Sequence, residues 1–211
     1  MTDYKKPDHW QLKARQEGYP ARSVYKLKEI NEKFAIFKIR GGLRVLDVGA
    51  APGSWSLFVL RKICTGGKGF LAAVDLGALS REFDGGLFDA GNFFFIQGDV
   101  TDKNVRETLL SKGPYNVIIS DVAPNTTGNH MIDSARSLEL AEIVIDCALE
   151  ALAAGGNLAV KVFQGVGVDA ILKRMKTIFT TAKSFKPQAC RGESVETYFI
   201  GLGKKPNLTK A

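Results

Sequence analysis

Four carboxylates and two lysines mark the chemistry this chain has available. Asp75 closes an apolar run over residues 70–74, and Asp99 and Asp121 close two more, over 93–97 and 115–120. Such runs read as buried strands, so all three carboxylates stand at strand ends. Asp75 lies 22 residues after Gly53. A carboxylate at that place can accept both hydroxyl protons of a ribose, its rival reading being an ordinary turn aspartate. Lys161 interrupts an otherwise apolar strand, residues 158–163. A lysine buried there is costly unless it is paired or neutral, and an edge lysine facing water is the alternative. Lys26 falls in a helical segment and Glu196 at the start of the last strand. Taken singly, none of the last three carries a functional reading.

These residues are positioned by the stretch at 43–60, LRVLDVGAAPGSWSLFVL. A short apolar strand leads into Gly49-Ala50-Ala51-Pro52-Gly53, where small residues let the backbone turn hard and a ligand come close. Ser54 can cap a helix whose apolar face begins with Trp55. Strand, glycine turn and helix open a doubly wound fold, in which ligands lie beyond the strand ends. Only Gly49 and Gly53 are present, so the spacing is not the dinucleotide G-x-G-x-x-G, and no G-K-[ST] follows for a nucleoside triphosphate. The loop suits an adenosine-containing ligand that lacks a pyrophosphate.

DVGAAPGSWS resembles the cofactor loop of the FtsJ/RrmJ (RlmE) group of S-adenosylmethionine-dependent RNA 2′-O-methyltransferases, and the likeness runs from about Tyr19 to Gly203. It implies a class I, Rossmann-like methyltransferase fold: a mostly parallel seven-stranded sheet with helices on both faces. It implies S-adenosylmethionine bound by Gly49, Ala50, Pro52, Gly53, Trp55, Asp75, Leu76, Asp99, Val100 and Asp121, with Asp99 at the adenine end. Trp55 can also serve the core. Lys26, Asp121, Lys161 and Glu196 match the family's Lys-Asp-Lys-Glu tetrad, each in its expected segment. The tetrad has a physical logic. A ribose 2′-hydroxyl is a poor nucleophile and needs a base, and a lysine serves only when neutral. Burial and a neighbouring positive charge favour that form. The resemblance therefore makes Lys161 the base and Lys26 the neighbouring charge, with both carboxylates fixing geometry and no metal required. Asp121 begins Asp-Val-Ala-Pro rather than the Asn/Asp-Pro-Pro-Tyr/Phe of a base N-methyltransferase. No cysteine falls where a cytosine C5 enzyme needs its nucleophile.

Alternating strands and helices give an α/β chain, mostly parallel. Its 211 residues suit one domain. We expect one RNA methyltransferase domain over 1–203, divided into a basic helical extension (1–40) and a core (41–203), with a basic tail at 204–211. Helices are expected over 22–34, 54–60, 104–111, 134–154 and 169–179, and the late strands over 157–163, 183–187 and 197–202. Residues 1–18 read as irregular or weakly helical, and 77–92 as a glycine-rich loop longer than the bacterial pattern. Cys64, Cys147 and Cys190 lie far apart and only two histidines occur, which argues against disulfides and metal sites and fits a reducing cytoplasm. No apolar run approaches a membrane span and no secretory signal opens the chain. The net charge is +7, and it is uneven: +5 over 1–40, −5 over 41–160 and +7 over 161–211. If the basic ends meet, they form a phosphate-binding face, with Arg22, Lys28 and Lys38 on the N-terminal side. The expected substrate is a uridine in large-subunit ribosomal RNA, within the subunit, for a monomeric enzyme. The chain's compact length and Val48 favour this over a tRNA enzyme of the same family. An intact tetrad argues against a silent RNA-binding module.

Overall fold

The apolar runs form a single sheet. Its strands are β1 (Arg44–Val48), β2 (Phe70–Asp75), β3 (Phe93–Gln97), β4 (Tyr115–Ser120), β5 (Leu152–Phe163), β6 (Phe179–Phe185) and β7 (Glu196–Lys204). They lie in the order β3-β2-β1-β4-β5-β7-β6. β1 to β5 pair in parallel, and β7 runs antiparallel between β5 and β6. This computed structural model describes residues 8–38, 42–62 and 68–206. The middle strands are covered on both faces, which is why they read as nearly unbroken hydrophobic runs.

The helices are α1 (His9–Gln16), α2 (Val24–Phe34), α3 (Ser54–Lys62), α4 (Lys103–Ser111), α5 (His130–Ala151) and α6 (Val168–Ile178). Leu27 and Ile30 of α2 and Leu57 of α3 share one core with Val45, Val117 and Ile119. Leu109 of α4, Ile145 of α5 and Met175 of α6 share the other with Leu46, Ile118 and Leu158. The alternation of side chains along β1, β4 and β5 divides the two layers. Helices on both faces of a mostly parallel seven-stranded sheet are the architecture expected. No helix among the described residues is long and apolar enough to cross a membrane.

Several boundaries differ, each for a local reason. Residues 9–16 are helical because Asp8 caps them, its side chain accepting from Gln11 N at 2.9 Å. α5 starts at His130, before the expected Ser134, because Asn129 Oδ1 accepts from Met131 N at 3.0 Å and Ile132 N at 3.4 Å. Met131 and Ile132 are exposed, so the first turn hides from a search for apolar periodicity. α5 also ends earlier, at Ala151, and β5 begins at Leu152 with a register shift against β4 between Tyr115 and Val117. β6 starts at Phe179 instead of Lys183, as an edge strand with much of its length open to water. β7 runs on to Lys204, whose Nζ donates to Leu149 O at 2.6 Å and Leu152 O at 2.8 Å, so the expected tail does not begin there. The loop at 77–92 contains one short 3-10 turn, Leu87–Asp89. Cys64, and parts of the glycine breaks at 41–42 and 65–69, lie outside the described residues.

Candidate active site

The strand order reverses between β1 and β4, and there the crevice for a ligand opens at the carboxyl ends. Gly49 leaves β1 at φ 79° and runs against the turn after β4: a Cβ on it would meet Val122 Cβ at 2.7 Å. Only glycine fits both constraints. Gly49 N and Ala50 N donate to Val74 O at 2.9 and 3.2 Å. Ala51 N donates to Asp75 Oδ2 at 2.9 Å and Gly77 N to Asp75 Oδ1 at 2.7 Å. Each Asp75 oxygen thus takes one backbone donor and keeps lone-pair capacity for a ribose diol. Pro52 O accepts from Ser80 N at 2.9 Å, so the glycine-rich segment is tied to the loop, and Phe88 closes on Gly53.

The other expected cofactor residues divide into two groups. Leu76 is an exposed apolar side chain at the end of β2, and Gly98 N bonds Asp75 O at 2.8 Å, drawing Asp99 and Val100 to the same lip. Asp99 Oδ1 accepts from Thr101 N and Thr101 Oγ1, both at 2.8 Å, so an Asx turn takes that oxygen. Trp55 fills the core role that its place in the sequence allows. Its side chain is buried in the core, its indole N–H donates to Ser23 O at 2.8 Å, and its ring lies tilted on Tyr198. It braces α2 against β7. Ser54 does not cap α3 through its side chain either. Its hydroxyl accepts from Ala21 N at 2.7 Å and donates to Ala21 O at 3.1 Å, tying the N-terminal extension to the loop.

The two lysines and two carboxylates meet as two ion pairs. Lys161 and Tyr198 are cross-strand partners in β5 and β7, so their side chains share a face. Asp121 follows Ser120, which pairs with Val160, and so reaches the same point from β4. Lys161 Nζ is 3.0 Å from Asp121 Oδ1 and also donates to the Asp121 carbonyl. Lys26 Nζ, on α2, is 2.7 Å from Glu196 Oε1 at the start of β7. All four side chains are largely out of solvent. Burial pushes the Asp121 carboxyl up, but the Lys161 and Lys26 ammoniums and the Tyr198 hydroxyl outweigh it and hold it below the usual carboxylate range. Burial opposes the Lys26 charge, and Asp121 with Glu196 overcomes it, so that Lys26 is held more firmly charged than a free lysine.

Three contributors escaped the sequence reading. The Tyr198 hydroxyl donates to Asp121 Oδ1 at 2.5 Å, and burial with two neighbouring carboxylates raises it well above an ordinary phenol. Its signal is parity with Lys161, visible only once β5 and β7 are paired. Asp47 and Ser56 lie beneath the loop: Ser56 Oγ donates to Asp47 Oδ2 at 2.7 Å, while Asp47 Oδ1 is buried without a partner among the described residues. Burial, with Asp121 and Asp75 nearby, pushes the Asp47 carboxyl up to about 7 against the Ser56 hydrogen bond. An orphaned polar atom under the glycine turn, beside Asp75, suits a polar and partly cationic ligand in the crevice. Cys190 is buried, which with the nearby Glu196 pushes its thiol up to about 12, so it is no thiolate nucleophile.

The basic ends do meet, but two of the three expected phosphate ligands are occupied. Arg22 bonds Asp8 and the Ala189 carbonyl, and Glu29 accepts from Gln188 N at 2.6 Å and Ala189 N at 2.8 Å. These contacts tie the segment before β7 to α2 and to the cap of α1. Lys28 pairs with Glu17 at 2.5 Å over the rings of Tyr19 and Tyr25. Lys38 is exposed.

A sheet of this order, with a glycine turn and strand-end carboxylates at its switch point, defines a class I S-adenosylmethionine-dependent methyltransferase fold. The model of the FtsJ-like methyltransferase family matches residues 19–204, and the chain belongs to that family. It is 46% identical over 202 residues to the Ribosomal RNA large subunit methyltransferase E of Treponema denticola, covering 96% of this chain and 97% of that protein. Its likeness to the protein of the same name from Oleidesulfovibrio alaskensis is 47% over 94% of this chain and 92% of the other. A crystal structure described as a ribosomal RNA methyltransferase of Plasmodium falciparum has the same fold, with a TM-score of 0.73 at 23% identity over 91% of this chain and 100% of that one.

Proposed function

We propose that this chain methylates the ribose 2′-hydroxyl of a uridine in large-subunit ribosomal RNA, with S-adenosylmethionine as donor. Bound in the crevice, that cofactor supplies an electrophilic methyl group on a sulfonium. The turn from Gly49 through Ala50 and Pro52 to Gly53 bounds its binding place, Asp75 takes the ribose diol, and Leu76, Asp99 and Val100 receive the adenine end. Asp121 stands between this crevice and the lysines. Lys161 would accept the 2′-hydroxyl proton as that oxygen takes up the methyl group the cofactor would supply. Asp121 aims Lys161, and Tyr198 holds Asp121. Asp121 and Glu196 hold Lys26 charged, so it is the fixed positive charge of the cluster. The remaining requirement is orientation of the reacting groups, which a rigid strand-end site would serve.

One observation carries the reading: a buried lysine in β5, paired with a strand-end aspartate of β4, beside the glycine turn of β1. All four tetrad residues come from one chain, which fits a monomer, and a ribosomal RNA substrate fits the cytoplasm. The basic face carries the RNA through Lys38 and its neighbours, since Arg22 and Lys28 are tied internally. The test uses large ribosomal subunits from cells lacking this gene, labelled cofactor, and mass analysis of the digested nucleosides. The expected product is 2′-O-methyluridine in large-subunit rRNA. Label on a base, or on tRNA in place of rRNA, would refute the reading.

A further inference from the structure

Two of the most exposed large apolar side chains in the described chain lie on the segments that follow the ends of β5 and β4. Val166 is 94% exposed and Met131 is 78% exposed. Val166 follows the end of β5, the strand that carries Lys161, and Met131 opens α5 after the turn that begins at Asp121. The two segments are packed together. Ser134 Oγ donates to Phe163 O at 3.4 Å and Gln164 O at 3.3 Å, and a Cβ on Gly165 would meet Ser134 Oγ at 1.9 Å. Met131 precedes Ser134 by three residues and so shares its side of the helix. The mount is rigid: Asp133 Oδ1 accepts from Thr127 N at 2.7 Å and Thr127 Oγ1 at 2.9 Å, and its Oδ2 from Gly128 N at 3.2 Å.

Nothing in the methyl-transfer chemistry uses these side chains, and both stand on segments held in place just beyond the strands that carry Lys161 and lead to Asp121. A 2′-hydroxyl reaches a buried lysine only if its nucleotide is splayed from its neighbours, and single-stranded bases so freed seek an apolar face. Met and other aliphatic wedges serve that purpose at disturbed base steps. Resting on the RNA reading above, we propose that Met131 and Val166 form an apolar step that takes the face of a nucleobase a few positions or fewer from the methylated nucleotide, in place of the stacking partner it has lost. Five residues separate Lys161 from Val166, a reach of at most about 17 Å even fully extended. At about 3.4 Å per stacked nucleotide the base concerned lies within roughly five positions of the target.

Both side chains project into solvent, so Met131→Ser and Val166→Ser, singly and together, leave folding and cofactor affinity unchanged. With large ribosomal subunits from cells lacking the gene as probe, the double variant raises KM for the subunits about five- to twentyfold and leaves kcat near parental, as loss of one base contact should. A photoreactive benzoylphenylalanine placed at Val166 crosslinks to rRNA within about five nucleotides of the methylated position. An unchanged KM overturns the proposal. So does a crosslink to a ribosomal protein, to a second copy of this chain or to distant rRNA. Failure of the parental enzyme to methylate the subunits at all is a separate result, and it overturns the RNA reading on which the proposal rests.

Discussion

Tyr198→Phe deletes one oxygen and keeps the ring. The ring remains on Trp55 at 5.9 Å, and the pairing of Tyr198 with Lys161 across β7 and β5 is untouched. What disappears is the phenol hydrogen bond to Asp121 Oδ1 at 2.5 Å. Tyr198 has no exposed surface, so water does not replace the donor. A hydrogen bond to a charged group contributes about 1.5–3 kcal/mol. For a chain of this length 1 kcal/mol moves the unfolding midpoint by about 2–4 °C, so Tm falls by roughly 3–12 °C. Asp121 keeps Lys161 at 3.0 Å but loses its second anchor, which loosens the aim of the amine. A loss of about 1.4 kcal/mol in the transition state lowers the single-turnover rate about tenfold, with KM for RNA near parental. Thermal unfolding and single-turnover methylation at saturating RNA and cofactor measure both. A parental Tm together with a parental rate would show that Tyr198 does not position Asp121.

Three further outcomes are expected. Asp75→Ala removes two backbone bonds within the loop as well as the ribose acceptor, and weakens S-adenosylmethionine by at least about 1.5–3 kcal/mol in calorimetry without RNA; equal affinity removes Asp75 from the site. Asp47 has its folded pKa raised to about 7, so the folded protein keeps a proton that the unfolded chain releases. The Asp47 contribution to stability is therefore full below about pH 4 and is lost as pH rises toward 7, at up to about 1.4 kcal/mol per unit. Asp47→Asn flattens that portion of a denaturant-midpoint profile, and an unaltered slope contradicts the buried-carboxyl assignment. RNA binding falls steeply with salt: about five phosphate contacts give a slope of roughly −4 in log K against log salt, and a flat dependence rejects the basic face.

The β1–loop–α3 unit could be read from the chain because each of its residues has a local reason: apolar strand, glycines at positive φ, apolar helix. Lys161 stood out because a charge inside an apolar strand breaks the pattern, and Asp75 because strand ends in such folds face the ligand. Tyr198 did not stand out, since an aromatic residue in a strand is ordinary until its partner is known. The core role of Trp55 was not decided by the chain for a related reason. Its neighbours are Ser23 and Tyr198, distant in sequence, and no local pattern decides between a core face and a pocket face. Arg22 and Lys28 read as free charges because their partners, Asp8 with Ala189 and Glu17, depend on how α1, α2 and the segment before β7 pack. The exposed first turn of α5 was missed because Asn129 and Asp133 build it by capping and side-chain bonds, while its apolar residues face outward.

The role of Lys161 as the base is the central claim, and Lys161→Arg tests it most directly. Arginine keeps the charge opposite Asp121 but cannot shed its proton at working pH. The measurement is single-turnover methylation of large ribosomal subunits at saturating substrate and cofactor, with cofactor affinity measured beside it. Loss of a positioned base lowers the rate by about 10²–10⁴, and cofactor affinity stays near parental. A near-parental rate would contradict the account, because Lys161 would then serve only as a fixed charge and the proton would have to leave by another route.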